Sequence, residues 1–195
     1  MYKDRRMDKT YLTTEHTTAS GYKIYIYDEI FDYSSRVAKY NLAINSVFTI
    51  QGYDSKLLEY KEHLSLVSIY SHYDAQRMSV VEEFPDEIKQ ICSFKYENMV
   101  HAMVNLCTPS DRFHTHVDTF NEPGWTVLYY LNTEWDPEWG GDTVFFDETG
   151  KSFELVSQYK PGRIVVFDSR IPHLIRPSTA LAPHFRLSFA LKFKP

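Results

Sequence analysis

From Met99 onward the chain is a run of short strand-like segments broken by turn residues, and this rhythm leaves few folds open. MVHAMVNLC (99–107), HTHVD (114–118), WTVLYYLN (125–132), TVFF (143–146), FELV (153–156), RIVVFD (163–168) and FRLSFALKF (185–193) all read as strands. TPSD (108–111), NEPG (121–124), WDPEWGGD (135–142) and Pro161-Gly162 separate them with turn or loop chemistry. WTVLYYLN carries the strongest pattern, because β-branched and aromatic side chains pack well on a pleated surface. About seven such strands at even spacing must bury a face against another sheet. That predicts a sandwich or barrel, and the eight-stranded jelly roll is the common arrangement with an interior site.

The first half reads differently. YKIYIY (22–27) alternates like a strand. Residues 32–45 carry Tyr33, Val37, Tyr40 and Ile44 at helical spacing behind Asp32, a good N-cap. Phe84-Pro85-Asp86-Glu87 followed by Ile88, Ile91 and Cys92 predicts a second, short helix with an acidic first turn. The stretch between these helices, with His63 and His72, has no clear period. The expected class is therefore mainly β (α+β), with supporting helices N-terminal to the strands. No repeat or Pro/Gly-rich linker divides the chain, so a single domain over 1–195 is expected, with a support region (1–98) and a strand-rich core region (99–195).

Composition narrows the function classes. An apolar share of 43 % supplies a core and excludes a disordered chain, and 16 % aromatics fit a sheet-rich fold. A net charge of -5 argues against nucleic acid as a partner, since phosphate binding leaves a clustered basic footprint. The one basic cluster, Lys3, Arg5, Arg6 and Lys9, is interrupted by Asp4 and Asp8 and reads as a solvated tail. Cys92 and Cys107 form no CxxC pair. No apolar stretch is long enough to span a membrane and none resembles a secretory signal, so a reduced, cytoplasmic setting is expected.

Alternation along HTHVD puts His114, His116 and Asp118 on one face, so His116 and Asp118, two residues apart, can grip one ion. An HxD tripeptide is weak by itself, because surface strands often hold such pairs. A third ligand must come from another strand, and His173, in DSRIPH (168–173) after the RIVVFD strand, is best placed. Two imidazoles and one carboxylate on one face leave open positions for a cosubstrate and dioxygen, an arrangement that suits Fe(II). His114 shares the face as a neighbour of the ligands or a contact at the rim; as a ligand it would put Asp118 four positions away. His16, His63, His72, His101 and His184 have no partner spacing and read as structural or surface residues.

On the closing strand Arg186, Ser188 and Ala190 share one face, while Phe185, Leu187 and Phe189 share the other. A guanidinium on an otherwise apolar strand implies an anionic partner, either Asp or Glu or the carboxylate of a bound small molecule. Its planar fork meets a carboxylate with two charge-assisted hydrogen bonds. Tyr130 offers a phenol to the same region, with Tyr129 facing the other way; a one-residue slip would exchange them.

Taken in order, HTHVD, WTVLYYLNTEW, GGDTVFF, DSRIPH and FRLSFAL resemble the 2-oxoglutarate/Fe(II) oxygenases of the prolyl 4-hydroxylase type, over roughly residues 99–195. Compact members of that family are often microbial or phage-encoded. The resemblance implies a double-stranded β-helix (jelly roll) that binds Fe(II), 2-oxoglutarate and O2, with ascorbate as reductant. It implies His116, Asp118 and His173 as iron ligands, Arg186 as partner of the 5-carboxylate, and Tyr130 as its second donor. Ser188 joins Arg186 on the cosubstrate face, and Asn105 stands where some relatives place a cosubstrate contact. The stretch from His173 to Arg186 is longer than in the hypoxia-type enzymes, which leaves Arg176 as a competitor. The implied reaction hydroxylates a C–H bond, foremost of a prolyl residue in a protein or peptide, and converts 2-oxoglutarate to succinate and CO2. A free amino acid, small metabolite or nucleobase is the alternative substrate. Trp125, Trp135 and Trp139 are candidates for the substrate mouth, or simple packing. A non-catalytic metal-binding jelly roll and a zinc hydrolase are the readings from other classes; a zinc hydrolase needs a nearby general base and has no use for Arg186 and Ser188 in a deep carboxylate pocket.

Overall fold

The computed structural model describes residues 11–52, 64–92, 96–111, 113–119 and 122–194. The first half holds β1 (Leu12–Thr17), β2 (Lys23–Tyr27), α1 (Tyr33–Ile44), β3 (Thr49–Gly52), β4 (Leu64–Ile69), α2 (His72–Arg77) and α3 (Asp86–Cys92). The second holds β5 (Met99–Cys107), β6 (Trp125–Tyr130), β7 (Thr143–Phe146), β8 (Phe153–Ser157), β9 (Ile164–Asp168), β10 (His173–Ile175) and β11 (Arg186–Phe193). Eight strands form one sheet in the order β1-β2-β9-β6-β11-β5-β4-β3, and three form another in the order β10-β7-β8. Every pairing is antiparallel, with long crossovers such as β9 between β2 and β6. This is the expected mainly-β jelly roll.

Both faces of the large sheet are covered, and the sequence shows why. Along β6, Val127 and Tyr129 join Leu187, Phe189, Leu191 and Phe193 of β11 in a core that also takes Ala43 of α1, Ala75 of α2 and Ile88 of α3. Leu128 and Tyr130 face the other way, into a core between the sheets with Val165, Phe167 and Ala190, closed by Phe145 of β7. A central strand buried on both faces must be apolar throughout, which is why WTVLYY and IVVFD read so strongly. Each fully buried Val, Leu or Phe there contributes roughly 1.5–3 kcal/mol of transfer free energy.

The helices start where their caps dictate. Asp32 precedes α1 in extended conformation, and its carboxylate accepts the Ser35 N–H at 2.7 Å. Ser71 does the same for α2 through the Asp74 N–H.

HTHVD, expected as a strand, makes a single antiparallel bridge between His116 and His173. The N–H groups of Asp118 and Thr119 both turn to the Ser169 carbonyl, at 2.9 and 3.2 Å. A regular ladder cannot send successive N–H groups to one acceptor, so the chain bends there. β10 was not anticipated as a strand, and neither were β1, β3 and β4 at the ends of the large sheet. The N-terminal basic cluster and His63 lie outside the described residues.

Candidate active site

His116 and His173 sit opposite one another and exchange both backbone hydrogen bonds, at 3.0 and 2.9 Å. Their side chains therefore leave the same face, with ring centroids 4.4 Å apart. Asp118 completes the group: its two oxygens lie 3.8 Å from His116 Nε2 and from His173 Nε2. One ligand atom from each of the three falls within 4.8 Å of the others. The His116 ring is 52 % exposed, whereas the Asp118 side chain is 2 % exposed, so the cluster is walled in on one side and open on the other.

The surroundings prepare each group for a metal. His116 Nδ1 lies 3.0 Å from the His114 carbonyl and His173 Nδ1 lies 2.9 Å from the Ile171 carbonyl. A carbonyl can only accept, so each Nδ1 carries the proton and each Nε2 presents a lone pair. Burial, reinforced by the neighbouring His116, pushes His173 down to about 4, which keeps it neutral at physiological pH. Burial would raise the Asp118 carboxyl, but His173, Lys192 and His116 outweigh it and hold it well below the usual carboxylate range. Thr126 donates to Asp118 Oδ2 at 2.6 Å, and with its proton so committed it accepts from Ser169 at 2.9 Å. Two neutral imidazoles and an ionised carboxylate fit a first-row divalent ion such as Fe(II).

Arg186 is fully buried. Its Nε donates to the Gly141 carbonyl at 2.7 Å and its Nη1 to Ser188 Oγ at 3.1 Å, while Nη2 has no hydrogen-bond partner. Among the described residues it makes no ion pair. The guanidinium lies over the rings of Tyr159 and Tyr130, at 4.6 and 5.2 Å, and these rings stack on each other. The backbone of Gly141 must come close: a Cβ there would meet Arg186 Cδ at 3.1 Å, and φ is +86°.

The strand register places the remaining candidates. Ser188 pairs with Asn105 of β5 and Tyr130 of β6, so all three lie on the face that carries Arg186. Tyr130 Oη donates to Thr143 Oγ1 at 2.8 Å and lies 3.2 Å from Ser157 Oγ, rather than pointing toward the arginine. Tyr129 faces the helices against Phe31, where burial pushes its phenol far up. Arg176 is exposed on the outer side, over the Phe153 ring. His114 is exposed, and its carbonyl orients His116. Trp135 packs on Tyr159 and Trp139 beside the arginine, whereas Trp125 packs against the core under the helices. His16, His72 and His184 are engaged elsewhere, by Glu154, the Met99 carbonyl and Glu134.

Thr126, Ser169, Tyr159, Gly141 and Lys192 escaped the sequence reading, and His101 was read there as a structural or surface residue. Lys192 alone had left a signal, because it continues the alternating series Arg186, Ser188, Ala190.

Residues 100–193 match the sequence family described as the 2OG-Fe(II) oxygenase superfamily. That match spans 94 of the chain's 195 residues and takes in His116, Asp118, His173 and Arg186. This oxygenase shares its fold with a Trichoplax adhaerens prolyl hydroxylase solved with a hypoxia inducible factor peptide, at 18 % identity and a TM-score of 0.61, over 88 % of this chain and 83 % of that one. A Pseudomonas putida prolyl-4-hydroxylase superposes at 16 % identity and TM-score 0.59, covering 88 % and 92 %. HygX from Streptomyces hygroscopicus, solved with nickel and 2-oxoglutarate, superposes at 12 % identity and TM-score 0.64, covering 92 % and 84 %. A search of curated protein sequences finds no match. The family match and these likenesses support a 2-oxoglutarate-dependent dioxygenase that uses Fe(II). Among the described residues, no helix is long and apolar enough to cross a membrane.

Proposed function

We propose that this oxygenase hydroxylates a prolyl residue of a protein or peptide, with His116, Asp118 and His173 as its iron ligands and Arg186 as the partner of the 2-oxoglutarate 5-carboxylate. One observation carries the assignment of residues. A three-ligand cluster open on one side shares the intersheet space with a fully buried arginine whose Nη2 is unsatisfied. A buried charge calls for a counter-charge, and among the described residues no side chain supplies an anionic one.

Bound Fe(II) supplies the oxidation, coupling decarboxylation of 2-oxoglutarate to insertion of one oxygen atom into a C–H bond. The protein's own residues hold and orient. The carbonyls of His114 and Ile171 lock both imidazoles in one tautomer, and Thr126 fixes the Asp118 rotamer. Arg186, braced by Gly141 and Ser188 on the paired rings of Tyr130 and Tyr159, anchors the distal carboxylate of the cosubstrate. Asn105 and Ser188 line the same face, and Tyr130 would be the carboxylate's second donor in place of its bond to Thr143. The apolar side chains between the sheets exclude water from the reacting groups. The open side at His116 gives an extended peptide access.

The two prolyl hydroxylase likenesses support a peptide substrate. HygX, which has also been solved with hygromycin B bound, supports a second reading in which the substrate is a small molecule.

The test is succinate formation by anaerobically purified protein with Fe(II), 2-oxoglutarate and ascorbate, with and without a proline-rich peptide library. Iron-dependent succinate that is lost in both His173→Ala and Arg186→Ala is expected, with a peptide product heavier by one oxygen atom. Turnover that no peptide stimulates and a small molecule does would overturn the prolyl assignment.

A further inference from the structure

We infer that Asp118 serves two cations, the metal and Lys192, and that the charge of Lys192 sets how tightly this oxygenase holds its metal. The inference rests on the assignment of Asp118 as a ligand.

Lys192 lies on β11, three places beyond Arg186 on the same face. Its Nζ is 2.6 Å from Asp118 Oδ1, with 25 % of the lysine side chain exposed against 2 % of the aspartate. The opposite oxygen is held by Thr126, which pairs with Lys192 in the register between β6 and β11. Both carboxylate oxygens are thus occupied before any metal is considered. Each still has a lone pair to offer, since a carboxylate accepts about four contacts. A metal that uses Oδ1 must share it with an ammonium.

Sharing has a sign. A metal–oxygen bond is about 2.0–2.2 Å, so an ion on Oδ1 would lie within about 5 Å of Nζ. Even with the dielectric of bulk water between them, a dication and an ammonium at that distance repel enough to weaken binding about tenfold. The lysine does not dislodge the ligand, because Thr126 and the Asp118 N–H to Ser169 hold it from the other side.

A second observation supplies the lysine with somewhere to go. His101 of β5 is the cross-strand neighbour of Lys192, and side chains directly opposite on one face lie close enough to interact. Its Nε2 is buried with no hydrogen-bond partner. Burial, with Lys192 adding to it, holds His101 below its ordinary range, so the ring is neutral and can accept a proton donor. His101 is the acceptor onto which the ammonium can lean when a metal takes Asp118.

The experiment is calorimetric titration of chelator-treated protein with Ni(II) alone, which requires no turnover. Lys192→Met keeps the stem and removes the charge, so it should bind Ni(II) about tenfold more tightly. Lys192→Arg should stay close to wild type, and His101→Phe, which removes the second acceptor, should bind more weakly. Lys192→Met with unchanged or weaker binding, or Lys192→Arg as tight as Lys192→Met, would overturn the role of the charge; His101→Phe at wild-type affinity would overturn the role of His101. Lys192→Gln replaces Lys192→Met if the latter does not fold. His173→Ala separates the two levels of the argument: if it leaves Ni(II) binding intact, the ligand assignment itself fails.

Discussion

Substituting Arg186 by Met should separate cosubstrate binding from folding. The arginine is fully buried and packs on two tyrosine rings, so a flexible apolar side chain of similar length fills most of its space. Two stability effects then oppose one another. The Gly141 carbonyl and Ser188 Oγ lose their donors, at about 1–3 kcal/mol for a buried group left unpaired. Against this, replacing a buried ion by an apolar chain is commonly neutral or stabilising by about 1–4 kcal/mol. Stability should therefore stay within about 2 kcal/mol of wild type.

Binding has no such offset. Hydrogen bonds to a charged group are worth about 1.5–3 kcal/mol each, and a guanidinium grips a carboxylate with two. Loss of both should weaken 2-oxoglutarate at least about 100-fold, since 1.36 kcal/mol is a factor of ten. Urea unfolding gives the first quantity, and titration of the Ni(II)-loaded protein with 2-oxoglutarate gives the second. Wild-type affinity in a folded Arg186→Met protein would refute the carboxylate assignment. A collapse in stability would refute the argument that the arginine is poorly satisfied by its own protein.

Two further predictions concern the framework. Tyr129→Phe removes a buried hydroxyl with no partner and should be neutral or slightly stabilising, whereas Tyr130→Phe leaves Thr143 and Ser157 without their bond and should cost about 1 kcal/mol or more in urea unfolding. Asp28 is partly buried, which raises its carboxyl, but Arg163 and Lys160 more than compensate and hold it below the ordinary range. A depressed folded-state value contributes stability that is present above the unfolded pKa, about 4, and is lost as pH falls through the folded value. Asp28→Asn should thus flatten the decline of the urea midpoint between about pH 5 and the acid limit; an unchanged slope would show that other carboxylates carry it.

The sequence was most legible where a strand is buried on two faces or carries chemistry on one. β5, β6, β9 and β11 have nearly the expected bounds, because alternation and β-branched content report burial directly. The arginine face of β11 follows from the same alternation and needs no knowledge of its neighbours. β1, β3 and β4 escaped because they lie toward the edges of the large sheet, where half-exposed strands such as LTTEHT tolerate polar residues and lose the pattern. HTHVD failed for another reason: its residues alternate as in a strand, but one carbonyl gathers two of its N–H groups and bends the chain.

What the sequence could not show is what depends on which strand lies beside which. Thr126, Lys192 and His101 lie far apart in the chain, on three strands, and none was read as part of the site. They meet because β6 and β5 flank β11 and the register sets Lys192 opposite both Thr126 and His101. The HxD and the distal histidine are legible because chemistry fixes their types and their order along the chain. The residues that tune them are chosen only by geometry, and several types could serve at each position. Lys192 is the instructive case: alternation alone placed its charge on the active face, yet its partner, a carboxylate that also qualifies as a metal ligand, became visible only through the register. A charge that continues a functional strand face past its known residue is therefore worth testing before it is assigned to solvent.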